Sequence, residues 1–233
     1  MHLDVAVAKV SKYAVSESGD TVEMIERPGG GVSFVVVDGQ RSGKSAKAIS
    51  NIVARKAVAL LAEGVRDGAA ARAAHDYLYT HRSGKVSATL NIVSIDLASR
   101  TLVLSRNSHC PIVMIRGGQL ELLDQPSDPV GVHRGTKPVI MEFALEPGIT
   151  VVIYTDGLSA AGERKGQPLD VPQAVRHLMG YQLTARQLSR ALLDRALALD
   201  DQRPADDISL LVLTISRFEQ PNDARWLNMS MPL

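Results

Sequence analysis

The chain has 233 residues, 45% of them hydrophobic and 4% aromatic, and a formal charge of +1 from 26 basic and 25 acidic side chains. That length can bury a real core, as one large domain or two small ones. The near-neutral balance and the lack of a basic stripe with interleaved aromatics argue against a nucleic-acid partner, and no run reaches the roughly 20 apolar residues of a membrane span.

Met1–Lys9 lacks the apolar stretch of a signal peptide, so a cytoplasmic protein with no membrane partner is expected. The one cysteine, Cys110, precludes an internal disulfide and fits a reducing compartment. Its setting, Ser108-His109-Cys110-Pro111-Ile112-Val113, marks it as a buried structural thiol.

In chain order, Val5 to Val15 alternates loosely and predicts one or two strands. Pro28-Gly29-Gly30-Gly31 is a turn, which makes Thr21–Arg27 and Val32–Val37 a hairpin. Beyond Asp38, a polar and flexible Gly39-Gln40-Arg41-Ser42-Gly43 leads into a helix with Ala46, Ile49, Val53, Ala57 and Leu60 on one face and Ser42 or Ser45 as its cap. Gly64 and Gly68 bracket a break, and Ala69–His81 predicts a second helix. Short strands follow at Ala88–Leu97, Thr101–Ser105, Ile112–Arg116, Leu120–Leu123, Val139–Leu145 and Ile149–Tyr154. A polar loop, Gly162–Pro168, precedes two helices, Val171–Met179 and Thr184–Leu199, and a last strand, Ile208–Ile215. Without a repeat or a compositional seam this reads as one α+β domain over residues 1–217, with 218–233 a tail that is either disordered or a docking segment carrying Trp226, Met229 and Met231.

Four aspartates stand out: Asp20 in Ser18-Gly19-Asp20, Asp38 after Val35-Val36-Val37, Asp156 after Val151-Val152-Ile153-Tyr154-Thr155, and Asp206 in Ala205-Asp206-Asp207-Ile208-Ser209. Asp38 and Asp156 each precede a glycine at the end of an apolar run, where a carboxylate leaves the sheet for a loop that a hard cation can reach. An all-oxygen donor set of this kind suits Mg²⁺ or Mn²⁺ rather than zinc. Carboxylates gathered without a cation would repel one another. Taken singly, each aspartate is equally well a turn or cap residue.

The four motifs in this order, with Asn107-Ser108-His109-Cys110-Pro111, Arg116-Gly117-Gly118-Gln119 and Pro129-Val130-Gly131-Val132 between them, resemble the bacterial SpoIIE-type serine phosphatases. These belong to the metal-dependent protein phosphatase (PPM) superfamily, and the resemblance covers about residues 10–216. It implies an α-β-β-α sandwich of two mainly antiparallel sheets flanked by helices, with two Mn²⁺ or Mg²⁺ ions at one edge. By matching motif, Asp38 bridges both ions and the Gly39 carbonyl binds one. Asp156 and Asp206 hold the other, and Asp20 serves the Gly39-side ion directly or through water, so that Asp38 and Asp20 form the catalytic centre. One register step separates Asp206 from Asp207, which the resemblance makes a neighbour tuning the site.

The activity implied is hydrolysis of phosphoserine or phosphothreonine by a metal-activated water. The implied substrate is a phosphorylated STAS-type antagonist or stressosome-like scaffold protein in a partner-switching pathway. The alternative is a non-catalytic module that uses the same fold to hold a partner. Gln40 stands where many PPM relatives carry a proton-donating histidine; the SpoIIE-type branch commonly lacks it. Arg41 and Lys44, beside the metal loop, are candidates for phosphate contact, against the plainer reading of solvated loop cations. His109 is expected to pack or to bond within a turn. Cys110 lacks the Cys-x5-Arg phosphate loop of a thiol phosphatase.

Overall fold

The Val35-Val36-Val37 run has no polar alternation because both faces of its strand are covered. In the computed structural model, which describes residues 1–217 and 224–230, Phe34 and Val36 point into one hydrophobic cluster while Val35 and Val37 point into another. A strand buried on both faces loses the period-two pattern that marks a half-exposed one. The strand is β3 (Gly31–Gly39), the third of ten among the described residues.

In chain order the elements are β1 (His2–Val10), β2 (Asp20–Glu26), β3, α1 (Gly43–Ala62), α2 (Asp67–Arg82), β4 (Ala88–Asp96) and β5 (Thr101–Asn107). They continue as β6 (Ile112–Arg116), β7 (Gln119–Leu123), β8 (Val139–Ala144), β9 (Ile149–Tyr154), α3 (Asp156–Ser159), α4 (Val171–Leu178), α5 (Ala185–Leu199) and β10 (Ile208–Ser216). Two five-stranded sheets form, in the orders β1-β10-β9-β6-β7 and β2-β3-β4-β5-β8, with every neighbouring pair antiparallel.

The sheets face each other across Phe34, Val36, Leu104, Met114, Val151 and Leu213, all buried. Helices α1 and α2 cover the outer face of the second sheet through Val53, Ala57, Leu61, Ala74 and Leu78. Helices α4 and α5 cover the first through Val175, Leu188, Leu192 and Ala196. Burying one Leu, Ile or Val side chain contributes about 1.5–3 kcal/mol, so the three clusters fix the strand ends that carry the acids. This is the expected α-β-β-α sandwich of two antiparallel sheets with flanking helices.

Several details differ from expectation. The N-terminal segment is one strand ending at Val10, and residues 11–19 carry no strand. Helix α2 begins at Asp67, so Gly68 lies in its first turn rather than at a break. Its start is set by the buried Asp67 carboxylate, which pairs with Arg27 Nη1 at 3.2 Å and also accepts from Ser94 Oγ. Ser42 occupies the N-cap of α1 with extended backbone, but its side chain makes no capping bond. Thr184 instead closes a capping box with Gln187 at the head of α5. The tail expectation falls on residues of which only 224–230 are described; Trp226, Leu227 and Met229 are exposed, Arg225 pairs with Glu26 at 3.2 Å, and Met231 lies outside the described residues. No helix among the described residues is long and apolar enough to cross a membrane.

Candidate metal centre

Strand pairing brings the first two acids together. Asp20 opens β2 directly opposite Asp38 near the end of β3, so Asp38 still lies within the sheet rather than in a loop beyond it. Strands β9 and β10 of the facing sheet end close by, delivering Asp156 at the first position of α3 and Asp206 just before β10. Asp38, Asp156 and Asp206 line one cleft of about 220 Å³, together with Gly39, Arg41 and His109. Asp20 sits behind them, fully buried.

The glycines following two of the acids are there for close approach. A Cβ on Gly39 would stand 2.1 Å from the Ala46 carbonyl oxygen of α1, and a Cβ on Gly157 would stand 2.1 Å from the Asp207 carbonyl oxygen. Gly39 therefore lets α1 lie directly on the end of β3, and Gly157 lets α3 lie on the residues that carry Asp206. Neither has the positive φ of a turn glycine.

Asp206 and Asp207 differ in their surroundings. The Asp206 side chain is 44% exposed and stands 3.8 Å from Lys12 Nζ. Asp207 is buried; its Oδ1 accepts from the Lys12 backbone N–H and its Oδ2 from that of Gly19, each at 2.9 Å. It anchors the segment leading into Asp20.

Thr155 and two lysines, none singled out by the sequence reading, complete the setting of Asp20. Thr155 Oγ1 donates to Asp20 Oδ2 at 3.0 Å, while Asp20 Oδ1 is buried with no partner among the described residues. Lys9 Nζ and Lys47 Nζ both donate to the Asp20 carbonyl, at 2.6 and 2.7 Å. Ser50 Oγ of α1 donates to the Gly19 carbonyl at 2.5 Å. The helix is thus stitched to the acid-bearing strand by polar groups that its apolar periodicity does not reveal.

The charges are strained against one another. Burial, then the charges of Asp20, Asp156 and Asp206, push Asp38 up to about 9. Burial pushes Asp20 up to about 6, against the hydrogen bond from Thr155. Asp206 is raised, chiefly by burial. Asp156 alone is lowered, by His109, whose Nε2 stands 3.7 Å from Asp156 Oδ2, an ion-pair distance.

His109 corrects the expectation of a packing residue: its side chain is 61% exposed and faces the cleft. The structural part of that motif is played by its neighbours. Buried Arg106 donates to the carbonyls of Ser108 and Gln125, and Asn107 Nδ2 to those of Asp128 and Lys137, holding the loop that carries Pro129 against the cleft. Gln40 staples β3 to the approach to β4: its N–H donates to the Ser87 carbonyl at 3.1 Å and its Oε1 accepts the Ser87 N–H at 3.2 Å. Of the two candidate phosphate contacts, Arg41 lines the cleft; Lys44 is exposed and does not.

The donors suit a hard divalent ion. They are carboxylate and carbonyl oxygens, one buried carboxylate oxygen has no partner among the described residues, and the repulsion that adds to burial in holding a proton on Asp38 is what a cation would relieve. Among the described residues no three acidic, histidine or cysteine side chains already converge as a finished cage. Mg²⁺ and similar ions retain several waters and do not need one.

Residues 28–216 match the family model described as Stage II sporulation protein E (SpoIIE). Among solved structures, the PP2C phosphatase domain with a fragment of the regulatory domain of SpoIIE from Bacillus subtilis is similar at TM-score 0.80 and 18% identity, over 92% of this chain and 64% of that one. The RsbU and RsbW domains of a Mycobacterium tuberculosis protein match at TM-score 0.72 and 20% identity, over 92% of this chain and 60% of that one. The catalytic domain of the serine/threonine phosphatase PstP, in complex with two manganese ions, matches at 0.69 and 16%, over 92% and 99%. At these identities the likeness carries the fold. No curated protein matches in sequence.

Proposed function

The chain belongs to the SpoIIE family, and from that premise we propose that it is a metal-dependent phosphatase acting on phosphoserine or phosphothreonine. The observation that carries the reading is the cleft itself: three carboxylates from both sheets on one surface, backed by a fourth with a buried oxygen that has no partner among the described residues. A fold-only binding module has no use for acids held at such electrostatic cost.

Asp38, central among the acids, would hold two Mn²⁺ or Mg²⁺ ions together with Asp20, the Gly39 carbonyl, Asp156 and Asp206. When bound, such a pair supplies a hydroxide nucleophile at neutral pH and neutralises charge on the phosphoryl oxygens. The protein's own part is to hold the oxygens in place. Thr155 fixes one oxygen of Asp20 and leaves the other for the ion, and Asp207 positions the strand entry through two backbone N–H groups. His109 steadies Asp156 across 3.7 Å. Gln40, whose amide is engaged with Ser87, has no proton to give, so protonation of the departing serine oxygen falls to another group.

Residues 1–217 form the catalytic unit, with 218–233 outside it. A phosphorylated STAS-type antagonist or scaffold protein in the cytoplasm is the proposed substrate. The supporting likenesses are to a chain with RsbU and RsbW domains and to a structure described with the bacterial stressosome, at TM-score 0.69 and 17% identity. The test is hydrolysis of p-nitrophenyl phosphate and of phosphorylated STAS proteins with added Mn²⁺ or Mg²⁺. Turnover that EDTA abolishes is expected. No turnover of any phosphoester with either ion contradicts the reading.

A further inference from the structure

Arg41 breaks a local rule at the place where the chemistry is gathered. Its φ is +75°, a left-handed backbone that an L side chain adopts at a cost and that glycine adopts freely. Other non-glycine residues with positive φ stand at ordinary turn or cap positions: Ser83 is the C-cap of α2, Arg100 is in the β4–β5 turn, and Asp201 and Gln202 follow α5. Arg41 lies in the short connection between β3 and α1, three residues past Asp38, on the wall of the acid cleft. Among the described residues no hydrogen bond or ion pair engages its guanidinium. An arginine on a cleft lined by Asp38, Asp156 and Asp206, yet bonded to none of them, is available to an incoming anion. The neighbouring geometry supports the same conclusion: Gln40 is locked to Ser87 on one side and α1 is seated on Gly39 on the other, so the connection cannot relax to an unstrained form without disturbing both.

We infer that Arg41 is the phosphoryl-binding residue of this cleft, its strained backbone holding the guanidinium where a phosphate monoester can be gripped by two parallel N–H groups. The inference rests on the phosphatase reading of the same cleft and adds to it the group that recognises the substrate. A guanidinium fork matches phosphate oxygens in a way an ammonium does not. It also supplies fixed positive charge in a cleft whose acids would otherwise repel a dianion.

The experiment uses the full chain loaded with Mn²⁺, with inorganic phosphate as the probe. Phosphate binding is measured by calorimetry for wild type, Arg41→Gln, Arg41→Lys and Arg41→Gly, with melting temperature and the kinetics of p-nitrophenyl phosphate alongside. Charge-assisted hydrogen bonds predict that Arg41→Gln and Arg41→Gly weaken phosphate binding about 10- to 100-fold and raise KM. Arg41→Lys should recover only part of the loss. Arg41→Gly should melt at or above the wild-type temperature, because glycine removes the backbone strain; a folding defect is thereby separated from a binding defect. Arg190→Gln, an exposed charge on α5 remote in sequence from the cleft residues, should leave both readouts unchanged. Phosphate binding within twofold of wild type in all three Arg41 variants overturns the inference, as does a wild type that binds no phosphate. Wild-type turnover, read in the same assay, reports separately on whether the protein is a phosphatase at all.

Discussion

Asp206 and Asp207 stand side by side, yet one opens onto the cleft with 44% of its side chain exposed while the other is buried with both oxygens taken by backbone N–H groups. Their amide variants should therefore fail in different ways. Asp206→Asn removes a charge from the cleft and should lower turnover and Mn²⁺ affinity with little change in melting temperature. Asp207→Asn keeps only one acceptor for two backbone N–H groups, one buried and one partly buried, so it should cost about 1–3 kcal/mol of stability, with metal affinity falling only as the Gly19–Asp20 segment loosens. Denaturant melts and Mn²⁺ calorimetry on the two variants check this, and a reversed pattern would exchange their assignments. The sequence could not separate the pair, because a single register step decides which faces the cleft. His109 was hidden for a related reason: it shares a motif with Arg106 and Asn107, whose tasks are structural, and only the path of the chain shows that the histidine turns outward.

The strand ends and the helix laid on them decide whether the acids meet. A Cβ at position 39 would press on the Ala46 carbonyl at 2.1 Å, a backbone atom that cannot swing aside. Gly39→Ala should thus push α1 off β3, destabilise the fold by about 1–3 kcal/mol and weaken Mn²⁺ binding at least tenfold, about the loss typical of a disturbed outer shell. Thermal melts and metal titration check the two effects; an unperturbed variant would show that α1 does not position the site. Most elements were legible in the sequence because their cause is local: the Pro28-Gly29-Gly30-Gly31 turn fixes the β2–β3 hairpin, and the spacing of Ala46, Ile49, Val53 and Ala57 fixes the buried face of α1. Less legible were features with distant causes. The Asp-Gly pairs read as turns, whereas Gly39 and Gly157 answer to backbone arriving from α1 and from the Asp207 region. The early start of α2 depends on Arg27 reaching Asp67 from 40 residues away, and the one-turn helix at Asp156–Ser159 is too short to show a period.

For the molecule as a whole, the acid cluster ties stability to pH and to metal. Asp20 and Asp38 keep protons in the folded chain up to about 6 and about 9, while the unfolded chain releases them near 3.8. Unfolding then releases protons, so the metal-free protein should lose stability as pH rises from about 4 through 9, opposite to the usual paired carboxylate. Mn²⁺ binds the deprotonated acids, so its stabilising effect should grow over the same range. Melting curves in EDTA and in Mn²⁺, at about pH 5.5 and about pH 8, check both slopes. Asp38→Asn should flatten the metal-free slope, melt above wild type in EDTA at the higher pH, and lose turnover by at least about 100-fold. The most direct measurement of the central claim is anomalous diffraction from a crystal soaked in Mn²⁺. Two adjacent manganese peaks are expected, both beside Asp38, one also contacting the Gly39 carbonyl and the other Asp156 and Asp206; peaks scattered elsewhere, or a cleft that takes up no manganese with Asp38 ionised, would refute a two-metal centre.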